Sequence, residues 1–449
     1  MREKPTFDTC SFDQYQKFMS LSVIFRSARA QVILYVCAAV YGMIFSAPAV
    51  ISIAMILLVL VGPLRMRRAA KGKISITWRE NIGRRWSERQ RHLWIAVPFL
   101  LVVFSLPYTE DFTYAAERLR IKLPFLLLPL AFAALPALRR RDVRIIGAFF
   151  VGILTVAAVG VLWKYYQNFA IINESLEHGK SIPTPSSHIR FSLAVAGGIF
   201  CAGALSLCKG ICGTAGERYG FGFLTIFLFI FLHILSVRSG LLAFYTASGI
   251  LLLRYIYASG NRLLGTVGLL LLLAVPTAAV MFVPSLQSKY QYVKYDLEMS
   301  LRGEGKSYSD GERWISLRAA RDIITEHPLF GVGAGDLRKE MYEIYQRESS
   351  GNAVAKMPHS QFASVAAGTG IVGLILFLIG FFKPIFWQNN YRNYLFLAWH
   401  VIIFSSFLSE NTFETNFGVS LWLFGLLIGL SYEEESSVAH SVTVKERSM

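Results

Sequence analysis

Apolar residues in this chain come in blocks of about 20, and this grouping limits the possible folds more than any other feature. A helix rises about 1.5 Å per residue, so such a block matches the apolar core of a bilayer, which is about 30 Å thick. Hydrophobic residues make up 54% of the 449 residues and charged residues only 16%, unlike an ordinary soluble domain. The sequence therefore predicts an all-α polytopic membrane protein.

Twelve apolar segments are candidate membrane spans. We place them at residues 31–47, 48–64, 92–108, 122–138, 144–167, 188–208, 219–237, 238–257, 262–284, 359–383, 391–409 and 414–431. The run from Phe221 to Leu253 is too long for one span, and we divide it at Arg238-Ser239-Gly240, where a tight reversal fits. The chain then consists of nine spans (1–284), one sizeable outer segment (285–358), three further spans (359–431) and a polar tail (432–449) that we expect to be unstructured.

Lysine and arginine predict the orientation, because the cytoplasmic loops of membrane proteins carry an excess of these residues. Residues 65–92 contain ten of them, and the later loops on the same side are also basic. This alternation predicts cytoplasmic termini and an outer location for residues 285–358. The formal net charge of +16 is then a property of the cytoplasmic face, and we expect no nucleic-acid partner.

Five polar residues that are distant in sequence fall on the predicted outer face: Arg190, Arg238, Arg313, His359 and Glu410. An arginine near the membrane either extends to the lipid headgroups or holds a phosphate with paired donors. Arg313, taken alone, fits an ordinary surface position equally well. The histidine is either structural or a general base, since its usual pKa lies near neutrality. Glu410 could orient that histidine, bind sugar hydroxyls or cap the last helix.

The outer segment contains one predicted helix, at residues 312–327. Asp310 is the expected N-cap, and Pro328 marks the end because a helix rarely continues through the residue before a proline. The helical period predicts one apolar face, formed by Trp314, Leu317, Ala320 and Ile324.

Several site classes are disfavoured by their missing motifs. The GVGAG stretch at 331–335 follows no strand of a βαβ unit, so it is not a dinucleotide fingerprint. The sequence has no HExxH motif and no cysteine–histidine cluster of the kind that binds zinc. No paired DxD carboxylates lie on the outer side, which disfavours a metal-dependent nucleotide-sugar transferase. We therefore expect no metal and no cofactor.

Three stretches resemble the O-antigen ligase family, in the superfamily that also includes O-antigen polymerases. His359-Ser360, then nine residues, then Gly370-Ile371-Val372-Gly373 is similar to the family's histidine motif, although Ser360 replaces the commoner Asn. VRSGLLAF, which contains Arg238, resembles the family's arginine helix start. The stretch from Arg313 through HPLFGVGAGD resembles its outer segment. The resemblance covers residues 190–431; the first half matches only as a generic multi-span region.

The resemblance implies a bacterial inner-membrane glycosyltransferase with a periplasmic active site. Such proteins transfer a glycan from undecaprenyl pyrophosphate to an acceptor hydroxyl, which in the ligases belongs to lipid A–core. Arg238 and Arg313 would then hold the pyrophosphate, with Arg190 in the same group, and His359 would be the base. Glu410 stands where family members often carry an acidic residue.

Other functions remain open on the sequence alone. A polymerase or a protein O-oligosaccharyltransferase of the same superfamily would use the same donor. A lipid-linked-glycan transporter is a different class. The clustering of the arginines at one face, rather than along a central cavity, favours the enzyme.

Overall fold

The computed structural model describes residues 27–61, 64–68, 74–78, 90–208, 214–301, 309–349 and 356–447. These residues are almost entirely helical. The helices are α1 (Ala28–Ile44), α2 (Pro48–Val61), α3 (Val97–Ser105), α4 (Phe112–Lys122), α5 (Pro124–Ala134), α6 (Arg140–Gln167), α7 (Phe169–Glu177), α8 (His188–Leu207), α9 (Ala215–Leu235), α10 (Arg238–Ser259), α11 (Arg262–Phe282), α12 (Pro284–Leu301), α13 (Ser309–Glu326), α14 (Leu337–Ser349), α15 (Gln361–Phe386), α16 (Tyr394–Phe407) and α17 (Asn416–Arg447). Two short antiparallel strands, β1 (Leu64–Arg68) and β2 (Ile74–Trp78), pair with each other.

The helices support an all-α membrane protein. Six described helices are long and apolar enough to cross a membrane: α6, α8, α9, α10, α11 and α15, the last with its short extension. Five shorter apolar helices accompany them: α1, α2, the stretch 92–108, α16 and the first part of α17. Each predicted span contains a helix, but the span at 122–138 contains only the 11 residues of α5. The twelve-span count and the outer location of residues 285–358 stay predictions.

The long apolar run is divided where the sequence predicted. Helix α9 ends at Leu235, Ser236 adopts a left-handed φ of 52°, and α10 begins at Arg238. A left-handed residue ends a helix by redirecting the chain. Arg238 is therefore the first residue of a new helix, not a charge within a continuous one.

Helix α13 confirms the helix predicted at residues 312–327 and its end before Pro328. It begins at Ser309, so Asp310 lies inside the first turn and not at the N-cap position.

The predicted apolar face of α13 is only partly correct, because Ala320 is buried and Ile324 packs against the same cluster, but Trp314 is not part of it. Trp314 is 71% exposed, whereas the buried positions are mainly small residues: Ser316, Ala319, Ala320 and Ile323. Small side chains allow helices to approach closely, and α13 packs here against α14 and α15. Burial on this helix therefore follows close packing and not side-chain size.

Three further helical stretches differ from the sequence-based expectation. Helix α12 occupies a stretch in which the apolar residues show no clear helical period. Helix α14, which follows the glycine-rich stretch 330–336, was not predicted. The buried residues Leu337, Met341 and Tyr345 recur every four positions on α14 and form a helical stripe. The polar tail was expected to be unstructured, but α17 continues through it to Arg447.

The glycine-rich stretch 330–336 joins the outer segment to the bundle through backbone hydrogen bonds. The N–H of Val332 donates to the carbonyl of Ala367 at 3.0 Å, and the N–H of Gly333 donates to that of Gly368 at 3.0 Å. The N–H of Ile371 donates to the carbonyl of Pro328 at 2.9 Å. These bonds surround Gly370, whose φ of 67° interrupts α15 and opens its backbone to the loop.

Asp336 completes this junction on the side of α4. Its two carboxylate oxygens accept hydrogen bonds from the N–H groups of Glu110, at 2.8 Å, and Asp111, at 2.7 Å. The N–H of Ala334 donates to Ser105 Oγ at 3.1 Å. Buried backbone N–H groups need such acceptors, so the motif is a docking element between three parts of the chain.

We expect Gly370→Ala to lower the thermal unfolding midpoint of the purified protein in detergent. A side chain at this combination of φ and ψ costs about 1–3 kcal/mol, and the added methyl group would overlap the carbonyl of Leu329. Gly152→Ala in α6 is the matched control, because no atom lies within 4 Å of the added Cβ. That control should keep or raise the midpoint. Equal midpoints for the two variants would contradict the docking role of Gly370.

Candidate functional site

The five predicted site residues lie where the outer segment meets the starts of three helices. Each belongs to a different element: Arg190 to the first turn of α8, Arg238 to the first position of α10, Arg313 to α13, His359 to the residues before α15, and Glu410 to the turn between α16 and α17. Hydrogen bonds and charge interactions connect these elements.

Glu410 is buried and faces two arginines. Its Oε1 lies 3.9 Å from Nη2 of Arg313, and the carboxylate also interacts electrostatically with Arg190. Burial raises the pKa of Glu410, and the two positive charges oppose that effect without cancelling it. The turn thus places one carboxyl group between cations from α8 and α13.

Arg190 contributes a donor that has no acceptor within the described part of the chain. Its Nε is buried and makes no hydrogen bond there. A guanidinium has five N–H donors, and leaving a buried one unsatisfied costs free energy. An acceptor brought by a bound molecule would satisfy it.

A close helix crossing sets Arg190 and Arg238 at similar positions along α8 and α10. Two residues beyond Arg238, Gly240 packs directly on Ser192, which is two residues beyond Arg190. A Cβ on Gly240 would overlap that serine, so the contact requires glycine. Ser409 Oγ also donates to Ser239 Oγ at 3.3 Å, which ties the start of α10 to the turn of Glu410.

His359 is half-buried and is held through its backbone and through its neighbour. Its N–H donates to Ser316 Oγ at 3.3 Å, and that hydroxyl donates to the carbonyl of Arg313 at 2.8 Å. Ser360 Oγ donates to the carbonyl of Phe407 at 3.0 Å, near the end of α16. The position of His359 therefore depends on both the outer helix and the last part of the bundle.

A buried ion cluster that the sequence did not predict lies beside this site. Glu414 lies 2.7 Å from Nζ of Lys122 and 3.2 Å from Nη1 of Arg118. Gln361 donates to Glu414 at 3.3 Å and accepts from the N–H of Phe413 at 2.7 Å. The charges of Lys122 and Arg118 thus compensate the negative charge of the buried Glu414 carboxylate. This cluster fixes the start of α15 against the turn that carries Glu410.

Part of this ion cluster could have been predicted from the sequence. Arg118 and Lys122 are four residues apart on α4 and therefore share one face of the helix. Their distant partner Glu414 is joined to them only by the fold.

Two further basic residues extend the site and were also missed. Lys289 on α12 interacts electrostatically with Arg238. His188, at the start of α8, interacts with Lys289, Arg190 and Arg313. Together with Glu410 these groups form a region in which positive charge exceeds negative charge. Such a region suits a polyanionic ligand.

A comparison with known protein families gives a match over part of the chain. Residues 223–378 match the model of a family described as O-antigen ligase, whereas no curated protein matches the chain. The match runs from α9 into α15 and includes Arg238, Arg313 and His359, while Arg190 and Glu410 lie outside it. The resemblance found in the sequence is confirmed over residues 223–378, which match the model of the O-antigen ligase family.

Proposed function

We propose that this protein transfers a glycan from undecaprenyl pyrophosphate to a sugar hydroxyl of lipid A–core. The observation that carries the proposal is the convergence of Arg190, Arg238 and Arg313 beside His359. Of these four residues, Arg238, Arg313 and His359 lie inside the family match. A glycan linked to a lipid pyrophosphate arrives already activated, so no nucleotide sugar is needed.

The arginines suit the pyrophosphate half of the donor. A guanidinium matches phosphate oxygens with paired donors in one plane. The buried Nε of Arg190 has no acceptor among the described residues, and a phosphate oxygen would provide one. Glu410 pairs with Arg313 and interacts with Arg190, which would hold both guanidinium groups in place before the donor binds.

The proposed reaction is one displacement at the anomeric carbon of the donor sugar. The acceptor oxygen forms a bond to that carbon while the bond from the carbon to the pyrophosphate oxygen breaks. The bonding electrons leave with the pyrophosphate, and the arginines stabilise the negative charge that develops there. His359 takes the proton of the acceptor hydroxyl. A single displacement inverts the anomeric configuration.

A polymerase or a protein O-oligosaccharyltransferase would use the same lipid-linked donor. The acceptor therefore distinguishes these functions from the proposed ligase. The purified protein should transfer the glycan to lipid A–core and not to a second lipid-linked repeat or to a protein. Transfer to the second lipid-linked repeat alone would reassign the chain as a polymerase.

The location at the bacterial inner membrane, with a periplasmic site, has its own test. A cysteine introduced as Gly351→Cys should react with an impermeant thiol reagent in cells with a permeabilised outer membrane, and Ala70→Cys should not. Both positions lie outside the described residues, in segments that the charge pattern assigns to opposite sides. The unaltered protein gives the background from its own cysteines. The reverse labelling pattern would place the site in the cytoplasm.

We expect Arg238→Lys to lose nearly as much transfer activity as Arg238→Ala. A lysine is a point charge and cannot reproduce two parallel hydrogen bonds to a phosphate. Losing such bonds to a charged group costs about 1.5–3 kcal/mol, or roughly 10- to 100-fold in rate. Arg262→Lys is the matched control, because Arg262 also begins a helix but is exposed. Near-normal activity of Arg238→Lys would reduce Arg238 to a contact with lipid headgroups.

We expect His359→Ala to lose transfer by about 10²–10⁴-fold, because the acceptor hydroxyl would lack its base. The variant should remain folded and monodisperse and should still bind the donor, and wild-type transfer should persist in EDTA. His327→Ala, an exposed histidine of the same outer segment, should transfer normally. A folded His359→Ala protein with half the normal rate would remove the base assignment and leave the arginine site intact.

A further inference from the structure

A cavity lies between α3, α4 and the start of α15, beside the turn that carries Glu414. Most of its wall is apolar, with Leu101 and Phe377 among the lining residues. None of the five predicted site residues lines it. The charged and amide groups of its wall are those of the buried ion cluster: Arg118, Lys122, Glu414 and Gln361. The cavity is therefore distinct from the region between the arginines and Glu410.

The size of the cavity limits what it can hold. Its volume is about 30 Å³, and one water needs about 10–15 Å³ measured in this way. There is room for about two oxygen atoms, which is too little for a sugar ring but enough for one substituent of a sugar. Among the lining residues, Ala334 and Met357 are half-exposed and belong to the outer segment. A substituent of a bound glycan can enter from that side.

Arg118 presents an unsatisfied donor in this cavity. The residue is only 9% exposed. Its Nη1 lies 3.2 Å from Glu414, and its Nη2 lies 2.7 Å from Glu117, which does not line the cavity. The buried Nε–H of Arg118 has no acceptor among the described residues. Leaving such a donor without a partner costs free energy.

Two neighbouring donors are also incompletely satisfied. Nζ of Lys122 lies 2.7 Å from Oε1 of Glu414, which is its one acceptor in the described part of the chain, although an ammonium group has three N–H donors. The hydroxyl of Tyr114, which also lines the cavity, donates only to the sulfur of Met357, at 3.7 Å. A thioether sulfur is a weak acceptor.

The acceptors of the cluster are already occupied. Oε1 of Glu414 accepts from Lys122 and Gln361, and Oε2 accepts from Arg118. The carbonyl oxygen of the Gln361 side chain accepts from the N–H of Phe413. A ligand that suits this cavity therefore brings acceptors and no donor.

A carboxylate meets these requirements. It has two oxygen atoms with about four acceptor positions and no N–H or O–H, whereas a hydroxyl group would add a further donor. Its two oxygens also match the room in the cavity. The lining carries two cations, Arg118 and Lys122, and one carboxylate, Glu414, so a second carboxylate would balance the charge.

The cavity lies next to the proposed base. Met357 and Gln361 line it, and they stand two residues before and two residues after His359. Ser360 is extended, and two residues of extended chain span at most about 7 Å. A carboxylate in the cavity and a hydroxyl group at His359 would thus belong to the same sugar or to adjacent sugars.

We infer that this cavity receives a carboxylate of the acceptor glycan, which is held by the Nε of Arg118 and by Lys122. The acceptor is then an acidic sugar or the direct neighbour of one. This inference rests on the proposed function, because it concerns the acceptor of that reaction. Arg118, Lys122 and Glu414 lie outside residues 223–378, so the acceptor preference belongs to a part of the chain beyond the family match.

The test measures binding of the acceptor to the purified full-length protein in the absence of donor. The two probes are lipid A–core and the same material with its carboxylates reduced to alcohols. The wild-type protein should bind the untreated probe about tenfold or more tightly, because hydrogen bonds to a charged group are lost on reduction. Lys122→Gln keeps a donor for Glu414 but removes the charge, and Arg118→Lys keeps a charge but removes Nε. Each should lose most of this preference while its affinity for the reduced probe changes little.

Arg120→Gln is the matched control, because Arg120 is an exposed basic residue on the same helix. It should keep the wild-type preference. Equal binding of the two probes by the wild-type protein overturns the inference without any variant. A folded Lys122→Gln protein that keeps the preference also overturns it. A loss of affinity for the lipid-linked donor alone would assign the cavity to the donor and overturn the acceptor role.

Glycan transfer is measured separately, so the two proposals can fail independently. The wild-type protein should still transfer glycan to the reduced acceptor, with a raised KM and a similar kcat. A wild-type protein that prefers the untreated probe but transfers glycan to neither contradicts the proposed function and leaves the carboxylate site standing.

Discussion

The arrangement of the site depends on the backbone hydrogen bonds between the glycine-rich stretch 330–336 and the interrupted helix α15. They form only because Gly370 takes a conformation that exposes the backbone of α15 to the loop. Helix α13, with Arg313, precedes this junction, and His359 follows it. The hydroxyl of Ser316 then connects the backbones of Arg313 and His359 directly. The backbone of the proposed base is thus held close to the backbone of this arginine.

Two buried carboxylates beside α15 each interact with two basic residues. Glu414 contacts Lys122, Arg118 and Gln361, and this network satisfies the carboxylate and holds the helix start. The carboxylate of Glu410 lies 3.9 Å from the guanidinium of Arg313 and also interacts electrostatically with Arg190. The Nε of Arg190 has no acceptor among the described residues. A buried polar group without a partner costs free energy. Each network contains such a group, because the buried Nε of Arg118 and the buried Nε of Arg190 both lack an acceptor among the described residues.

Local sequence features predicted the parts of the fold that depend on local rules. The break at Arg238 followed from a charge and a glycine inside an apolar run, and the end of α13 followed from Pro328. The exposure of Trp314 could not be predicted, because the buried face of α13 is determined by how closely α14 and α15 approach it. The ion pair of Lys122 with Glu414 and the position of Lys289 could not be predicted either, because both depend on contacts between residues distant in sequence. Five candidate site residues were therefore named from sequence, while the groups that contact them in the fold were not.

The two halves of the proposed reaction depend on different parts of the structure. Arg190 and Arg238 are placed by helix starts, through the contact of Gly240 with Ser192 and the left-handed turn at Ser236. His359 is placed by the outer segment and by the bond from Ser360 to the end of α16. Phosphate binding would thus belong to the rigid bundle, and proton transfer to its junction with the outer segment. The family match covers only part of each half, because Arg190 precedes it and Glu410 follows it. The site is complete only in the folded chain, where the turn of Glu410 closes it between α8 and α13.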